Sequence, residues 1–342
     1  MIIVMQFGAS EAQIEAVCTV IKERGFDPLV MPGEDRLAIG VPASLSPDDR
    51  ITLESIISSM EGVSKVTQTS SPYKLASIEF HRARTTVEAH GVKIGPPKFT
   101  VMAGPCSVES YEQFRSSADM VKAAGATVLR GGAFKPRTSP YSFQGLQEEG
   151  LKIIKQVGQE TGLATVSEVM SADMVPLVGE YVDILQIGAR SMQNFPLLIE
   201  AGKSKNPVFL KRGPSATIDE FLLAAEYVLN QGNTQVILCE RGIMPLDRTY
   251  TRNTLDLAAV PVLKEHTHLP VIVDPSHGTG VARYVAPMAK AAMVVGADGV
   301  MVEMHPDPKK ALSDGSQALD PEQFKVLMAE IKSLAASLGV AM

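Results

Sequence analysis

The chain has no tryptophan and only three cysteines in 342 residues. Cys18, Cys106 and Cys239 are odd in number and far apart, which excludes a disulfide framework and suits a reducing compartment. Each thiol therefore needs its own explanation. Also absent is any apolar run near the roughly 18 residues that a spanning helix needs. Met1-Ile2-Ile3-Val4-Met5 lacks the basic flank and the length of a signal peptide, so a cytoplasmic protein without membrane contact is expected. Positive charge is not in excess. With 32 Lys+Arg against 38 Asp+Glu the net charge is −6, which argues against a nucleic-acid or anionic-membrane surface but leaves room for a local basic cleft. What remains is ordinary globular composition, 45% apolar and 20% charged, over a length that suits one large domain and one small one.

Residues 1–70 read as the small one. A short apolar strand, Met1 to Phe7, precedes Ser10-x-x-Gln13, which has capping-box spacing before Ile14, Val17, Cys18 and Ile21 on one helical face. Asp27 to Met31 and Leu37 to Val41 flank Pro32-Gly33-Glu34-Asp35 and predict a hairpin. Ser46-Pro47 opens a second helix with Leu53, Ile56, Ile57 and Met60 inward, and Val63 to Thr67 is the last strand. The order β-α-β-β-α-β predicts a ferredoxin-like α+β domain, with Cys18 a core thiol.

Residues 71–98 read as a linker and N-terminal extension, with room for a hairpin. From 99 to 342 the pattern repeats strand then helix. Strands are expected at 99–103, 127–130, 164–168, 183–187, 208–211, 235–239, 271–274 and 299–303, and Asp320-Pro321 caps the last helix. Eight such units over about 240 residues predict an α/β (β/α)8 TIM barrel, with a doubly wound sheet as the alternative. Both folds place chemistry at the C-terminal ends of the strands.

Two sets of residues stand there. Cys106, His277, Glu303 and Asp314 offer a thiolate, an imidazole and two carboxylates, a mixed donor set suited to one divalent ion such as Mn, Fe, Co or Zn. Taken singly, each has a plain structural role: a buried thiol, a capping histidine, a loop glutamate, a solvated aspartate. Strands one, seven and eight become neighbours only if a barrel closes. Cys239, inside strand six, reads as core packing. The second set is Arg130, Lys135, Arg137, Arg190, Lys211 and Arg241, six cations at one mouth of an acidic protein. They are either paired with carboxylates or await anionic substrates, to which bidentate arginine is matched. Gly131-Gly132 and Gly188-Ala189 add backbone amides open to phosphate. Lys211 alone could serve as a Schiff-base lysine, but its arginine neighbours favour an electrostatic role. His81, His90, His266 and His268 have no motif and read as solvated or capping residues, and His305 is left open.

The runs Ala103-Gly104-Pro105-Cys106, Lys135-Pro136-Arg137-Thr138-Ser139-Pro140, Ile187-Gly188-Ala189-Arg190, Leu210-Lys211-Arg212-Gly213, Cys239-Glu240-Arg241-Gly242 and Asp274-Pro275-Ser276-His277 occur in this order. Together they resemble 3-deoxy-D-arabino-heptulosonate 7-phosphate (DAHP) synthase, type I-beta with an N-terminal ferredoxin-like regulatory domain. The resemblance covers roughly residues 72 to 340, and residues 1–70 match in topology. It implies a transferase that condenses phosphoenolpyruvate with erythrose 4-phosphate and releases phosphate, at the entry to the shikimate pathway.

By the same resemblance, Cys106, His277, Glu303 and Asp314 ligate the metal. Arg130, Lys135, Arg190, Lys211 and Arg241, with Gly188 and Ala189, hold phosphoenolpyruvate. Arg137 and Thr138 take the erythrose phosphate group, and Glu168 orients the attacking water. Catalytic roles thus fall to Lys135, Glu168, Cys106 and His277. It further implies an aromatic amino-acid inhibitor at the N-terminal domain and a homo-oligomer, a tetramer. The alternatives are the sister 3-deoxy-octulosonate 8-phosphate synthase, whose Lys-Ala-Asn-Arg run is absent here, and a non-catalytic amino-acid-sensing barrel.

Overall fold

The computed structural model describes residues 1–31, 37–68, 71–135 and 139–342. The chain divides into two compact units, Met1–Ala83 and Arg84–Met342. In the first, β1 (Ile2–Met5), α1 (Glu11–Glu23), β2 (Leu29–Met31), β3 (Ala38–Gly40), α2 (Pro47–Ser58) and β4 (Val63–Thr67) follow one another. The antiparallel sheet has the order β2-β3-β1-β4, the ferredoxin-like arrangement. Ser10 and Gln13 form the capping box that opens α1. The inward faces of both helices bury Val17, Cys18, Ile21, Leu53 and Ile57 against Ile3, Met5 and Ile39, so the Cys18 thiol is core. The hairpin turn expected at Pro32 to Asp35 lies outside the described residues.

In the second unit, a hairpin of β5 (Val87–Ala89) and β6 (Val92–Ile94) precedes eight strands: β7 (Thr100–Gly104), β8 (Val128–Arg130), β9 (Ala164–Val169), β10 (Ile184–Ile187), β11 (Val208–Lys211), β12 (Val236–Glu240), β13 (Val271–Val273) and β14 (Gly299–Glu303). All pair in parallel and close into a barrel between β14 and β7. The helices are α3 (Tyr111–Ala124), α4 (Gln147–Thr161), α5 (Val175–Tyr181), α6 (Phe195–Lys203), α7 (Ile218–Leu229), α8 (Ala259–His266), α9 (Pro275–Thr279), α10 (Ala282–Val294) and α11 (Pro321–Leu338). Each strand is followed by one of them, and the short α9 is an addition at the end of β13. The fold is the TIM barrel expected, not the doubly wound sheet.

The barrel interior sets where the chemistry sits. Met102, Val128, Val166, Ile184, Phe209, Cys239, Ile272 and Met301, one from each strand, pack into a single buried cluster with Val87, Ala89 and Ile94 of the hairpin. Successive strand side chains alternate in direction. Two residues further along, therefore, the next inward positions are Gly104, Arg130, Glu168, Gln186, Lys211, Arg241, Asp274 and Glu303. An apolar layer is capped by a polar one, at the C-terminal ends of the strands. Cys239 belongs to the apolar layer, as its sequence position suggested.

His268 departs from the reading as a solvated or capping residue. It is buried at 4% exposure, and its Nδ1 lies 2.6 Å from Thr85 Oγ1, tying the segment before β5 to the start of β13. No helix among the described residues is long and apolar enough to cross a membrane.

Candidate active site

Barrel closure pairs Glu303 with Gly104 across β14 and β7, which sets Glu303 beside the Pro105-Cys106 turn. A ligand atom from each of Cys106, Glu303 and Asp314 lies within 4.8 Å of the other two. Asp314 comes from the segment after β14, where its backbone takes a positive φ of 52°, a conformation that aspartate tolerates better than most residues. The Cys106 thiol donates to Asp314 Oδ2 at 3.2 Å and contacts Ser313 Oγ at 3.0 Å. Burial, then Glu303, push this thiol up, against the opposing pull of Lys135 and Arg130. His277 joins the trio through Glu303, with Nε2 at 3.3 Å from Glu303 Oε1.

His277 is held by Asp274, which sequence reasoning passed over. Asp274 is fully buried and makes three contacts. Its Oδ1 accepts from the His277 backbone at 2.9 Å, capping α9, while Oδ2 lies 2.7 Å from His277 Nδ1 and 2.6 Å from Lys211 Nζ. Burial alone would raise its pKa, but His277 and Lys211 hold it well below the ordinary carboxylate range. Asp274 thus fixes the ring through Nδ1 and leaves Nε2 turned toward Glu303. Glu303 is likewise lowered despite complete burial, chiefly by His277 and Arg130. Its Oε1 accepts from Arg130 at 2.6 Å, and its Oε2 from Gln317 at 2.6 Å.

The donor chemistry fits a cation. A thiol and two carboxylates lie within 4.8 Å of one another, with the His277 imidazole in contact with one of the carboxylates, and carboxylates brought this close repel unless positive charge joins them. A mixed S/N/O set is that of a borderline divalent ion.

Around this centre the expected cations take distinct positions. Arg130 is buried, bonded to Glu303 and to the Pro105 carbonyl at 3.0 Å. Lys135 is buried with Nζ donating to the Cys106 carbonyl. Gly132 admits it, since a Cβ there would lie 2.5 Å from Lys135 Nζ. Arg241 is half-buried against the His277 carbonyl at 3.4 Å, and Arg190 is exposed on the turn after β10. Arg137 and Thr138 lie outside the described residues. Glu168 receives Gln186 at 3.4 Å, and a Cβ on Gly188 would come within 2.0 Å of Glu168 Oε1. Neighbouring Arg212 is structural: it pairs with Glu240 at 2.9 Å and Asp256 at 3.0 Å.

Beyond the strand ends lie residues that no motif announced. Arg252 bonds Asp314 Oδ1 at 3.0 Å, and Glu109 accepts from the Leu312 backbone at 2.8 Å. Buried His305 receives the Asp307 amide on Nδ1 at 3.0 Å, and its Nε2 faces Glu109 at 3.5 Å. A separate cavity of about 510 Å³, lined by Glu88, His90, Lys155, Asp183 and Lys205, opens at the N-terminal ends of the strands, away from this layer. In barrels of this kind that end serves stability rather than chemistry.

Known proteins match the chain along nearly its whole length. The DAHP synthetase I family matches residues 77–337, and the DAHP synthase ferredoxin-like domain matches residues 1–71. The phospho-2-dehydro-3-deoxyheptonate aldolase of Thermotoga maritima is 48% identical over 340 residues, 99% of each chain. The 2-dehydro-3-deoxyphosphooctonate aldolase of Syntrophobacter fumaroxidans is 33% identical, over 71% of this chain and 90% of its own. The crystal structure of the Thermotoga maritima DAHP synthase superposes with a TM-score of 0.78 at 47% identity, covering 99% of this chain and 98% of that one. A truncated form of the enzyme from the same organism covers 78% of this chain and 98% of its own, with a TM-score of 0.73. By fold, by coverage and by identity, the chain belongs to the DAHP synthetase I family and is one of its transferases.

Proposed function

We propose that the chain condenses phosphoenolpyruvate with erythrose 4-phosphate in a reaction that depends on a divalent ion. The observation that carries this reading is the meeting of Cys106, Glu303 and Asp314 within 4.8 Å, with His277 on Glu303 and with Arg130, Lys135 and Lys211 buried at the same rim. A divalent ion held by these four would polarise the aldehyde of the second substrate. Arg130, Lys135, Arg190, Lys211 and Arg241 bind the phosphate and carboxylate of phosphoenolpyruvate, and Arg137 with Thr138 the erythrose phosphate. Glu168 orients the water that adds at the phosphate-bearing carbon of phosphoenolpyruvate while its methylene carbon bonds to the aldehyde, and inorganic phosphate leaves. Fixing both substrates in contact supplies about 7 to 11 kcal/mol of the barrier, and the cations stabilise charge as it moves.

The test is phosphate release from phosphoenolpyruvate with and without erythrose 4-phosphate. Release that needs both substrates, stops on chelation and returns with Mn, Fe, Co or Zn is the expected result. Release unaffected by chelation sinks the metal part of the reading. Since a 2-dehydro-3-deoxyphosphooctonate aldolase is 33% identical, arabinose 5-phosphate belongs in the same assay. Faster release with that sugar would move the substrate assignment.

Gly188→Ala offers a finer check. The added methyl meets the flexible end of Glu168 and not backbone, so the barrel holds while the carboxylate is displaced. Near-native unfolding with kcat down about a hundredfold is expected, the scale of a 1 Å misplacement. Unchanged kcat would remove Glu168 from the reaction.

The domain match over residues 1–71 supports a regulatory role for that unit, with an aromatic amino acid as the inhibitor. A chain beginning near Pro72 is expected to turn over without responding to tyrosine or phenylalanine. Retained inhibition would relocate the inhibitor site to the barrel.

A further inference from the structure

Arg252 sits in the polar segment between β12 and α8, outside every motif discussed above, yet it touches the metal-donor trio. Its Nη2 donates to Asp314 Oδ1 at 3.0 Å while the other oxygen, Oδ2, lies 3.2 Å from the Cys106 sulfur. One carboxylate is thus divided between a guanidinium and a thiol. The backbone that carries the guanidinium is itself anchored. The Arg252 amide donates to the Thr279 carbonyl at 2.8 Å, and Asn253 Nδ2 to the His277 carbonyl at 2.8 Å. Gly280 makes the approach possible, because a Cβ there would lie 2.7 Å from Arg252 Cβ. Amide and carbonyl bonds between Ile243 and Thr254 close the base of the segment. The strap therefore fastens to the helix that carries His277 and reaches across to Asp314, on a different segment with a strained backbone.

We infer that Arg252 is a positioning residue that presets Asp314 opposite Cys106, so that the donor set is assembled before an ion arrives. This rests on the ligand assignment proposed above. It adds a residue that touches no ion and is stitched to the His277 helix. Without the guanidinium, Asp314 would swing toward solvent, since its side chain is already 21% exposed. The remaining donors would then have to pay the cost of ordering it on binding. Outer-shell partners of this kind are worth about 10- to 100-fold in metal affinity.

The test uses the full-length chain and Co²⁺ alone, read by the sulfur-to-cobalt charge-transfer absorption and by titration. Arg252→Met is expected to weaken Co²⁺ binding by about 10- to 100-fold, and Arg252→Lys by less. Because the Arg252 side chain is 43% exposed, both variants should unfold at wild-type denaturant concentration, which separates this effect from misfolding. In an Asp314→Ala background, Arg252→Met should add nothing, the mark of a residue acting through its partner. Wild-type affinity in Arg252→Met, or a full additional loss in the Asp314→Ala background, overturns the inference. A wild-type chain whose bound Co²⁺ shows no sulfur band overturns the ligand assignment beneath it instead.

Discussion

Cys106→Ala is expected to lower metal-supported phosphate release by about a thousandfold while leaving the barrel folded. Of the four proposed donors, only the thiol brings sulfur, and sulfur biases the set toward Mn, Fe, Co or Zn and away from Mg or Ca. Removing it takes a charged donor from an ion whose stabilisation of developing charge is worth several kcal/mol, and each 1.36 kcal/mol is tenfold in rate. The fold depends on it far less. A buried sulfur exchanged for hydrogen leaves a small gap, costing about 1 kcal/mol. The neighbouring Ser313 hydroxyl and Asp314 carboxylate keep other partners or reach water. Cys106→Ser should rescue little, because a hydroxyl at neutral pH is not a thiolate. Steady-state phosphate release across a titration of Mn²⁺ decides the matter. Full turnover at any Mn²⁺ concentration would show that the thiol is not a ligand. The raised pKa of Cys106 adds a second readout: ion binding must expel its proton, and unbuffered titration should record that release in the wild type and lose it in Cys106→Ala.

The residues at this site divide by how their positions are set. Cys106, Arg130, Glu168, Lys211, Arg241 and Glu303 stand at or next to the ends of strands, and strand positions follow from apolar runs of fixed length. Once the eight runs close into a barrel, register alone carries those residues to one rim, and Glu303 opposite Gly104 is the direct product. Asp274 sat within a quoted motif but read as its first letter. Its role emerges from three contacts made by two oxygens, which depend on the capping geometry of α9 and on the height of Lys211 two strands away. Gln317, Ser313, Glu109 and Arg252 come from connecting segments whose length and composition do not fix a path. Their partners are decided by side-chain rotamers and backbone bonds formed after the barrel exists. His268 shows the same limit in the scaffold: nothing around it announces burial, because its partner Thr85 lies 183 residues away. The ferredoxin-like order was legible for the opposite reason, since two amphipathic helices and four short strands in 67 residues leave few alternatives.

Asp274→Asn carries the largest expected effect on stability. The substitution keeps the shape and an oxygen able to cap α9, but it deletes the charge that Lys211 and His277 share. Removing one partner from a buried ion pair costs about 3 to 5 kcal/mol, because the other charge is left without compensation in a low-dielectric layer. The double change Asp274→Asn with Lys211→Met should therefore be more stable than Asp274→Asn alone, although both are inactive. Urea unfolding followed on the barrel distinguishes the cases, and a double variant no better than the single one would show that Lys211 is not the group left stranded.

The pH dependence has a definite sign. The folded pKa of Asp274 lies below its unfolded value of about 3.9, so its contribution is complete above that value and fades only as pH falls toward the folded one. The gap in unfolding free energy between wild type and Asp274→Asn should stay level from pH 7 to about 4 and narrow below it. A gap that already narrows between pH 7 and 5 would show that the Asp274 carboxylate is not held below its unfolded value.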